Sequence, residues 1–435
     1  MKSLDKQLSC IKDAADNSIF ADLHVTEDLK KRVKRYTTQA RANTVPIRKS
    51  LMHPWTKRIP VVVASLVTAL LILSFWPTQT QNATALTFKS DNSADLFVLK
   101  TTDHEKPLPL NVEVDSFNQL YYRWSPNGRF LVYGNYGDLF IYDSSTEEIR
   151  NLTDTPDLWE LMPSWSPDGE YITFTSRPLE PGENTPPHSN AKSWSMQGAF
   201  GGNPALIRRD GSGYTVLEKG LVQNPPSWSA DGKTIAYGVE GGIHLFDFKE
   251  QKGTVLTPTD YGLKAQYLSS PSWSPVRNEL VIYFSADDKE PTREEIMNGI
   301  ASTPEQGYVL LDLDKKTSLI LHQYKAPFVS RPPALWSSSG NKLALVFLPE
   351  HIIHDPTALL VMDRNGNNKQ NLGEAYQAAW EPGGSRLAYI DLDNRRSIVL
   401  LSPTDKGWER QTVDFTKILQ QNFLEGFAWR PGIKG

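Results

Sequence analysis

Short segments that alternate hydrophobic and polar residues recur along most of the chain, in pairs separated by a tight turn. A clear example is the segment 163–174, which reads PSWSPDGEYITF. Its first apolar stretch ends at Trp165, and its second begins at Tyr171. Proline in the intervening Ser-Pro-Asp-Gly presets a negative φ, and Asp-Gly tolerates a positive one. The pattern therefore predicts two antiparallel strands joined by a tight turn.

This unit is repeated, and its repeats share a tryptophan just before the turn. The tryptophans are Trp124, Trp165, Trp228, Trp273, Trp336, Trp380 and Trp429. Successive members are separated by 41, 63, 45, 63, 44 and 49 residues, and they account for seven of the 12 tryptophans. A base period in the forties with strand-turn-strand content is typical of β-propeller blades. We expect the repeated tryptophans to fill space between blades rather than to bind a ligand.

The two ends of the repeat region complete each other. Residues 85–99 match the second and third strands of a blade but lack a preceding tryptophan motif, whereas residues 427–431 match a first strand with nothing after it. Pairing these two fragments in one blade would close the ring and leave no open sheet edge. The predicted fold is all-β, a propeller over residues 85–432. We count seven blades, with six or eight left open.

The repeat also resembles a known family. The segment SWSPDGEYITF, the apolar strand 139–143 ending in Asp143, and Arg150-Asn151-Leu152-Thr153 resemble the TolB-type propeller repeat. The same repeat family builds the propellers of prolyl-oligopeptidase-like and dipeptidyl-peptidase-like enzymes. The resemblance implies a propeller over roughly residues 84–432. TolB itself resembles a secreted periplasmic protein with an additional N-terminal α/β domain. This chain departs from that pattern, with a predicted membrane anchor and a short basic segment instead, so TolB's partners are not transferred.

An uncharged apolar stretch precedes the repeats. Residues 59–76, IPVVVASLVTALLILSFW, would span about 27 Å as a helix, close to the hydrocarbon thickness of a bilayer. Four basic residues flank its N-terminal side, and no charge follows it until Lys89. The positive-inside rule then places the N-terminus in the cytoplasm and the propeller outside the cell membrane. A signal peptide cleaved after Ala85 is the alternative, and we favour a retained single-pass anchor because the leader is long.

The charge distribution divides the chain at the same place. Residues 1–58 contain 13 Lys/Arg and 6 Asp/Glu, whereas residues 59–435 contain 33 and 44. Helical spacing of apolar residues and Thr26 as an N-cap predict that the basic segment 1–58 is partly helical. It is either a solvated basic segment or a docking site for a cytoplasmic regulator, and residues 77–84 are a linker. The overall net charge of −4 argues against a nucleic-acid protein.

The sequence contains few signatures of a catalytic, nucleotide-binding or metal-binding site. It contains no G-x-S-x-G nucleophile elbow, no P-loop and no G-x-G-x-x-G. Cys10 is the single cysteine, so a cysteine-based zinc site is excluded. His351 and His354 have metal-like spacing, but we interpret their segment as a solvated polar loop. The aspartates of the Ser-Pro-Asp-Gly units are explained by turn geometry. We therefore predict no enzyme activity, no metal and no cofactor.

The three longest insertions fall between the second and third strands of their blades. They are Arg177–Pro204, Ala286–Gly307 and Pro349–Pro356. In a four-stranded blade this connection lies on the same rim as the connections between blades, and long loops on a rigid scaffold are where binding usually occurs. The candidate binding residues on that rim are Trp159, His188, Trp194, Phe200, Tyr261, Tyr324, Phe328, His351 and His354. The alternative for the aromatic members is that each packs its own loop against the blades.

Together these observations predict a membrane-anchored, extracytoplasmic propeller that acts as a binding module for a protein, a peptide or an envelope glycan. The alternative is a transmembrane regulator whose layout resembles that of membrane anti-sigma factors, with residues 1–58 contacting a cytoplasmic partner. An enzyme that uses the axial pocket of the propeller is a third, less favoured class.

Overall fold

A computed structural model describes most of the repeat region. The described residues are 84–90, 95–100, 107–114, 122–179, 202–218, 222, 224–287, 304–325, 332–346, 359–419 and 422–432. The predicted basic segment 1–58 and the predicted span 59–76 lie outside them, as does the linker except for its last residue. No helix within the described ranges is long and apolar enough to cross a membrane.

The described residues form 28 strands in seven four-stranded antiparallel sheets. Each sheet is one blade, numbered here along the chain. Blade 1 contains β1 (Ala85–Ser90), β2 (Asp95–Lys100), β3 (Leu108–Glu113) and β28 (Leu424–Arg430); blade 2 contains β4 (Tyr122–Trp124), β5 (Phe130–Asn135), β6 (Asp138–Asp143) and β7 (Glu148–Asn151); blade 3 contains β8 (Leu158–Trp165), β9 (Tyr171–Pro178), β10 (Asn203–Arg208) and β11 (Thr215–Val216). Blade 4 contains β12 (Ser227–Trp228), β13 (Thr234–Val239), β14 (Gly242–Asp247) and β15 (Lys252–Leu256); blade 5 contains β16 (Tyr267–Trp273), β17 (Glu279–Ser285), β18 (Glu305–Asp312) and β19 (Thr317–Lys325). Blade 6 contains β20 (Leu335–Trp336), β21 (Lys342–Val346), β22 (Leu359–Asp363) and β23 (Gln370–Asn371); blade 7 contains β24 (Ala375–Trp380), β25 (Leu387–Asp391), β26 (Ser397–Thr404) and β27 (Gly407–Asp414).

The last strand closes the ring. β28 pairs antiparallel with β1, with Trp429 opposite Leu86 and Phe427 opposite Phe88. The sheet order is β28-β1-β2-β3, so the C-terminal strand is the innermost strand of blade 1. This confirms the predicted all-β, seven-bladed propeller and its closure through both ends of the repeat region.

The turn after Trp165 is built as its sequence predicts. In blade 3 the Ser166 hydroxyl donates to Asp168 Oδ1 at 2.5 Å, and the amide of Tyr171 donates to Ser166 Oγ at 2.9 Å. Gly169 has a φ of +72°, which a residue with a Cβ rarely adopts. The Asp168 carboxylate also accepts the amide of Glu170. Its role is therefore to hold the turn, as predicted.

The hydrophobic core lies between consecutive blades. One cluster joins Leu86, Phe88 and Trp429 of blade 1 to Ala388 and Ile390 of blade 7. A short helix, α1 (Thr416–Leu419), precedes β28, and Leu419 packs in the same cluster. The tryptophan rings occupy these interfaces, which confirms that they are packing residues.

Candidate functional site

The three long connections leave from one rim of the propeller. They run from β9 to β10, from β17 to β18 and from β21 to β22, the second and third strands of blades 3, 5 and 6. We call this face the insert rim; it also carries the connections between blades. The strand boundaries confirm the predicted placement of the insertions, although the outermost residues of two of them belong to the flanking strands. Most of each connection lies outside the described residues.

Six of the nine candidate binding residues also lie outside the described residues: His188, Trp194, Phe200, Phe328, His351 and His354. The other three are Trp159, Tyr261 and Tyr324. Trp159 belongs to β8 of blade 3, Tyr261 to the connection between blades 4 and 5, and Tyr324 to the outer strand of blade 5.

Trp159 is packed into its blade. It lies opposite Arg177 across the β8–β9 pair and is only 1% exposed. The Arg177 guanidinium stands 4.5 Å from the centre of the Trp159 ring, within cation–π range. The indole therefore supports the base of the β9–β10 connection, which is the packing alternative given for the rim aromatics.

Tyr261 and Tyr324 are half-buried. Tyr261 ends a 3-10 helix, Pro258–Tyr261, and its ring packs against the core between blades 4 and 5. Burial raises the pKa of Tyr261, and its carbonyl oxygen accepts a hydrogen bond of 3.0 Å from Ser318 of β19. The Tyr324 ring lies 5.5 Å from the His322 ring, and burial lowers the pKa of His322. Both tyrosines thus have packing roles at the rim edge of blades 4 and 5.

Sequence reasoning did not identify the most exposed aromatic residue on the described part of the rim. Tyr136 is 61% exposed and forms, with Gly137, the two-residue turn between β5 and β6 of blade 2. Both turn residues have positive φ, +51° and +95°. Asn-Gly is the preferred pair in such a turn, and a tyrosine at positive φ is an unusual, strained choice. The carbonyl of Gly137 accepts the amide of Glu160 at 2.8 Å, so this turn is fixed against blade 3.

The residue that bonds to this turn, Glu160, carries a buried carboxyl group at the interface between blades 2 and 3. Glu160 is fully buried, and Thr155 Oγ1 donates to its Oε1 at 2.5 Å. Thr153 Oγ1 lies 3.1 Å from Glu160 Oε2 and 3.2 Å from Asp138 Oδ1. Tyr214 Oη lies 3.3 Å from Glu160 Oε1.

The chemistry of this network favours a proton on Glu160. Burial raises the pKa of Glu160 to about 7, against the opposing effect of the hydrogen bonds from Thr155, Thr153 and Tyr214, and the Asp138 charge raises it further. The hydroxyls of Thr153 and Thr155 each have one proton to donate, and both lie near the carboxyl groups of Glu160 and Asp138. A proton on Glu160 therefore reduces both the repulsion between the two carboxyl groups and the number of hydrogen bonds that they need to accept. Because Glu160 is enclosed by protein, it does not contact a substrate and acts as a structural, titratable link between blades.

A second polar cluster joins blades 3 and 4. Tyr237 Oη donates to Glu218 Oε2 at 3.1 Å and lies 2.9 Å from His244 Nδ1, which also contacts Glu218. Burial, together with the Glu218 charge, raises the pKa of Tyr237 well above its usual value. The phenol therefore remains protonated and donates a hydrogen bond; it does not act as a base.

A cavity of about 470 Å³ opens on the insert rim between blades 4 and 5. Its lining residues are Val222, Asn224, Gly238, Val239, Glu240, Gly241, Gln266, Tyr267, Leu268, Ser269 and Ser270. Val222 exchanges two backbone hydrogen bonds with Gly202, the residue at which the β9–β10 connection returns to its blade. The longest insertion thus ends at the wall of this cavity.

Within the described ranges, no three His, Cys, Asp or Glu side chains are grouped so that they would hold a metal ion. His351 and His354 fall outside those ranges. The polar clusters at Glu160 and Tyr237 are closed by hydrogen bonds among their own members. Besides these clusters, the described part of the rim presents the exposed Tyr136 ring and the cavity between blades 4 and 5.

The chain matches no protein-family model and no curated protein. Among solved structures it is similar to TolB from Acinetobacter baumannii, at 17% identity, with 75% of this chain and 73% of that chain covered and a TM-score of 0.43. It is similar to a putative TolB from Agrobacterium tumefaciens, at 15% identity, 67% and 88% coverage and a TM-score of 0.39. It is also similar to an oligogalacturonate lyase in complex with manganese, at 12% identity, 75% and 84% coverage and a TM-score of 0.48. These similarities carry no functional argument, and the propeller assignment rests on the strand pairing.

Proposed function

We propose that the chain is a non-enzymatic binding module whose insert rim recognises a protein, a peptide or an envelope glycan. The observation that carries this proposal is the departure of all three long connections from one rim of a closed ring. Tyr136 adds an exposed ring on the same rim, held at a strained φ by a turn that is fixed to blade 3. Strained backbone that persists at an exposed position is a recurrent feature of binding sites. Exposed aromatic rings are frequent energetic anchors of interfaces.

The second part of the proposal concerns location. The sequence of residues 59–76 and its basic flank support a single-pass anchor with the propeller outside the membrane, which leaves the segment 1–58 to a cytoplasmic regulator. Thiol labelling of intact cells tests this orientation, because Cys10 is the single cysteine. We expect an impermeant maleimide to react with a cysteine substituted at Gly435 and to leave Cys10 unmodified. The reverse pattern would overturn the orientation.

The binding proposal is tested by capture of envelope components on the immobilised full-length chain. Two rim variants are compared with the original chain: Tyr136→Ala, and Trp194→Ala combined with Phe200→Ala. A matched apolar control is Val276→Ala, because Val276 is 52% exposed in the β16–β17 turn on the opposite rim. We expect the rim variants to weaken capture at least ~10-fold and the control to leave it unchanged. Capture that survives both rim variants, or falls equally in the control, would place the interaction elsewhere.

A further inference from the structure

The cavity between blades 4 and 5 lies where the inner strand of blade 4 is short. β12 pairs with β13 only through Ser227 opposite Ala236 and Trp228 opposite Ile235. Extending this register would place Pro226 opposite Tyr237 and Pro225 opposite Gly238. Proline has no N–H to donate to a neighbouring strand, so the ladder ends at Ser227. By contrast, β16 of blade 5 begins at Tyr267 and continues for seven residues.

The missing pairing leaves the main chain of Gly238 without a partner in the β12–β13 ladder at the cavity wall. Thr234 of β13 faces the inner strand, since its carbonyl accepts the amide of Ser229 at 2.8 Å. Main-chain groups alternate sides along a strand, so Ala236 and Gly238 face the same way. By the same register Pro225, which has no N–H, would oppose Gly238, and Gly238 itself lines the cavity. Gly238 is half-buried, so its main-chain groups can bond to water or to a bound ligand.

Most of the other polar residues that line the cavity are uncharged. Asn224 and Gln266 bring an amide each, and Ser269 brings a hydroxyl. Among the lining residues that the structure describes, Glu240 is the one charged residue, and it is exposed. Its carboxylate would repel an anionic ligand. Val222, Val239 and Leu268 supply apolar surface between the polar groups.

The shape of the site limits the class of ligand further. An extended peptide that adds to a sheet needs several consecutive unpaired residues, and here only the short end of β13 between Ala236, the last residue paired with β12, and Val239, the last residue of the strand, is available. A volume of about 470 Å³ is in the usual range for small-molecule pockets. Sugar hydroxyls both donate and accept, which matches an array of backbone groups, amides and a serine hydroxyl.

We propose that this cavity binds a neutral, polyhydroxylated small molecule of the size of a mono- or disaccharide. This inference rests on the proposed function, because it names a ligand class for one site on the insert rim. It gives the glycan alternative a specific location, at the point where the β9–β10 connection returns to blade 3. The residues assigned to hydrogen bonding are Asn224, Gln266, Ser269 and the main chain of Gly238.

Calorimetric titration of the purified full-length chain with cellobiose, maltose and N,N′-diacetylchitobiose tests the proposal, with digalacturonate as the anionic counterpart. We expect at least one neutral disaccharide to bind and digalacturonate to fail to bind. Asn224→Ala and Gln266→Ala should each weaken binding at least ~10-fold. Gln411→Ala is the matched amide control, because Gln411 is exposed on β27 of blade 7, and it should have no effect.

A cavity-filling variant adds an independent readout. A Cβ at Gly238 would lie 3.6 Å from Ser269 Cα, an ordinary contact, so Gly238→Ala fits the strand while its methyl group narrows the cavity. We expect it to weaken disaccharide binding; if it does not fold, the two amide variants still decide the question. Binding of none of the three disaccharides at about 10 mM, or binding unchanged in both amide variants, would overturn the proposal. Those outcomes leave the capture experiment with Tyr136→Ala unaffected, so failure of the cavity site and failure of rim recognition are distinguishable.

Discussion

The indole N–H of Trp429 donates a hydrogen bond of 2.9 Å to the carbonyl oxygen of Ala379, and this bond ties blade 1 to blade 7. Ala379 is the residue before Trp380. The same relationship recurs, with each indole reaching the residue that precedes the tryptophan of the previous blade. The further pairs are Trp165 with Arg123, Trp336 with Ser272, and Trp380 with Leu335. In these four repeats the tryptophan side chain therefore forms a hydrogen bond to the neighbouring blade and also packs in the interface between the two blades.

Three of the repeats lack this bond: the indole of Trp124 donates instead to Thr87 Oγ1 at 2.8 Å, and two others make a direct comparison available. The indole nitrogens of Trp228 and Trp273 are buried and have no hydrogen-bond partner. Trp429→Phe keeps an aromatic ring but removes the bond between the blades, so we expect a loss of about 1 kcal/mol in the free energy of unfolding. Trp273→Phe removes an unpaired buried donor and should cost clearly less. Urea denaturation of both variants checks the difference, and equal losses would show that the bond contributes nothing.

The closing blade contains a buried ion pair with a testable consequence. Lys89 Nζ of β1 lies 2.6 Å from Glu425 Oε2 of β28, and the Lys89 side chain is 2% exposed. Removing one partner leaves an uncompensated charge in the interior, so Glu425→Leu should destabilise the propeller by about 3–5 kcal/mol. Replacing both residues, Lys89→Met with Glu425→Leu, should recover most of that loss. Chemical denaturation of the two single variants and the double variant measures the coupling, and a double variant no better than Glu425→Leu would contradict it.

How far the sequence predicts this fold is clear from individual residues. Trp165, Pro167 and Gly169 define a strand end and a turn locally, so their repetition predicts blades without any knowledge of long-range contacts. The unmatched strand at Trp429 and the unmatched pair at 85–99 then predict closure. The partner atom of each indole is not predictable in this way, because it belongs to the previous blade and depends on how the blades pack. Trp228 and Trp273 have the same local motif as Trp165, yet they lack its bond.

The Glu160 network makes stability depend on pH with a defined sign. Burial raises the pKa of Glu160 from 4.5 to about 7, so the folded chain holds this proton more tightly than the unfolded chain does. The contribution is therefore complete below pH 4.5 and is lost as the pH rises through 7, by at most about 3 kcal/mol at pH 8. Glu160→Gln mimics the protonated acid, so its stability should not show this loss. Urea midpoints at pH 5, 6, 7 and 8 test the difference. Parallel pH profiles for the two proteins would show that Glu160 does not cause the pH dependence of stability.

The candidate site shows where prediction from sequence ends. The position of the long insertions between second and third strands follows from repeat spacing and is confirmed by the strand boundaries. The sequence places Trp159 near an insertion, but the spacing of the repeats does not reveal that Trp159 is buried and lies under Arg177 across the β8–β9 pair. The cavity depends on the absence of pairing at Gly238. The signal that points to it is Pro225-Pro226 immediately before the Trp228 motif, since two prolines interrupt an inner strand.

Tyr136 provides a test in which stability and binding are expected to change in opposite directions. Its φ of +51° is unfavourable for tyrosine, whereas asparagine followed by glycine suits the two-residue turn that joins β5 to β6. Tyr136→Asn should therefore stabilise the propeller slightly, by about 0.5–1 kcal/mol, because it relieves strain in the folded state. The same change removes the exposed ring, so capture of envelope components should weaken at least ~10-fold if that ring is an anchor. Thermal denaturation and the capture assay on the same preparation give both quantities. A variant that is less stable and binds as before would mean that the Tyr136 ring stabilises its own turn, and the anchor of the insert rim would then have to lie elsewhere.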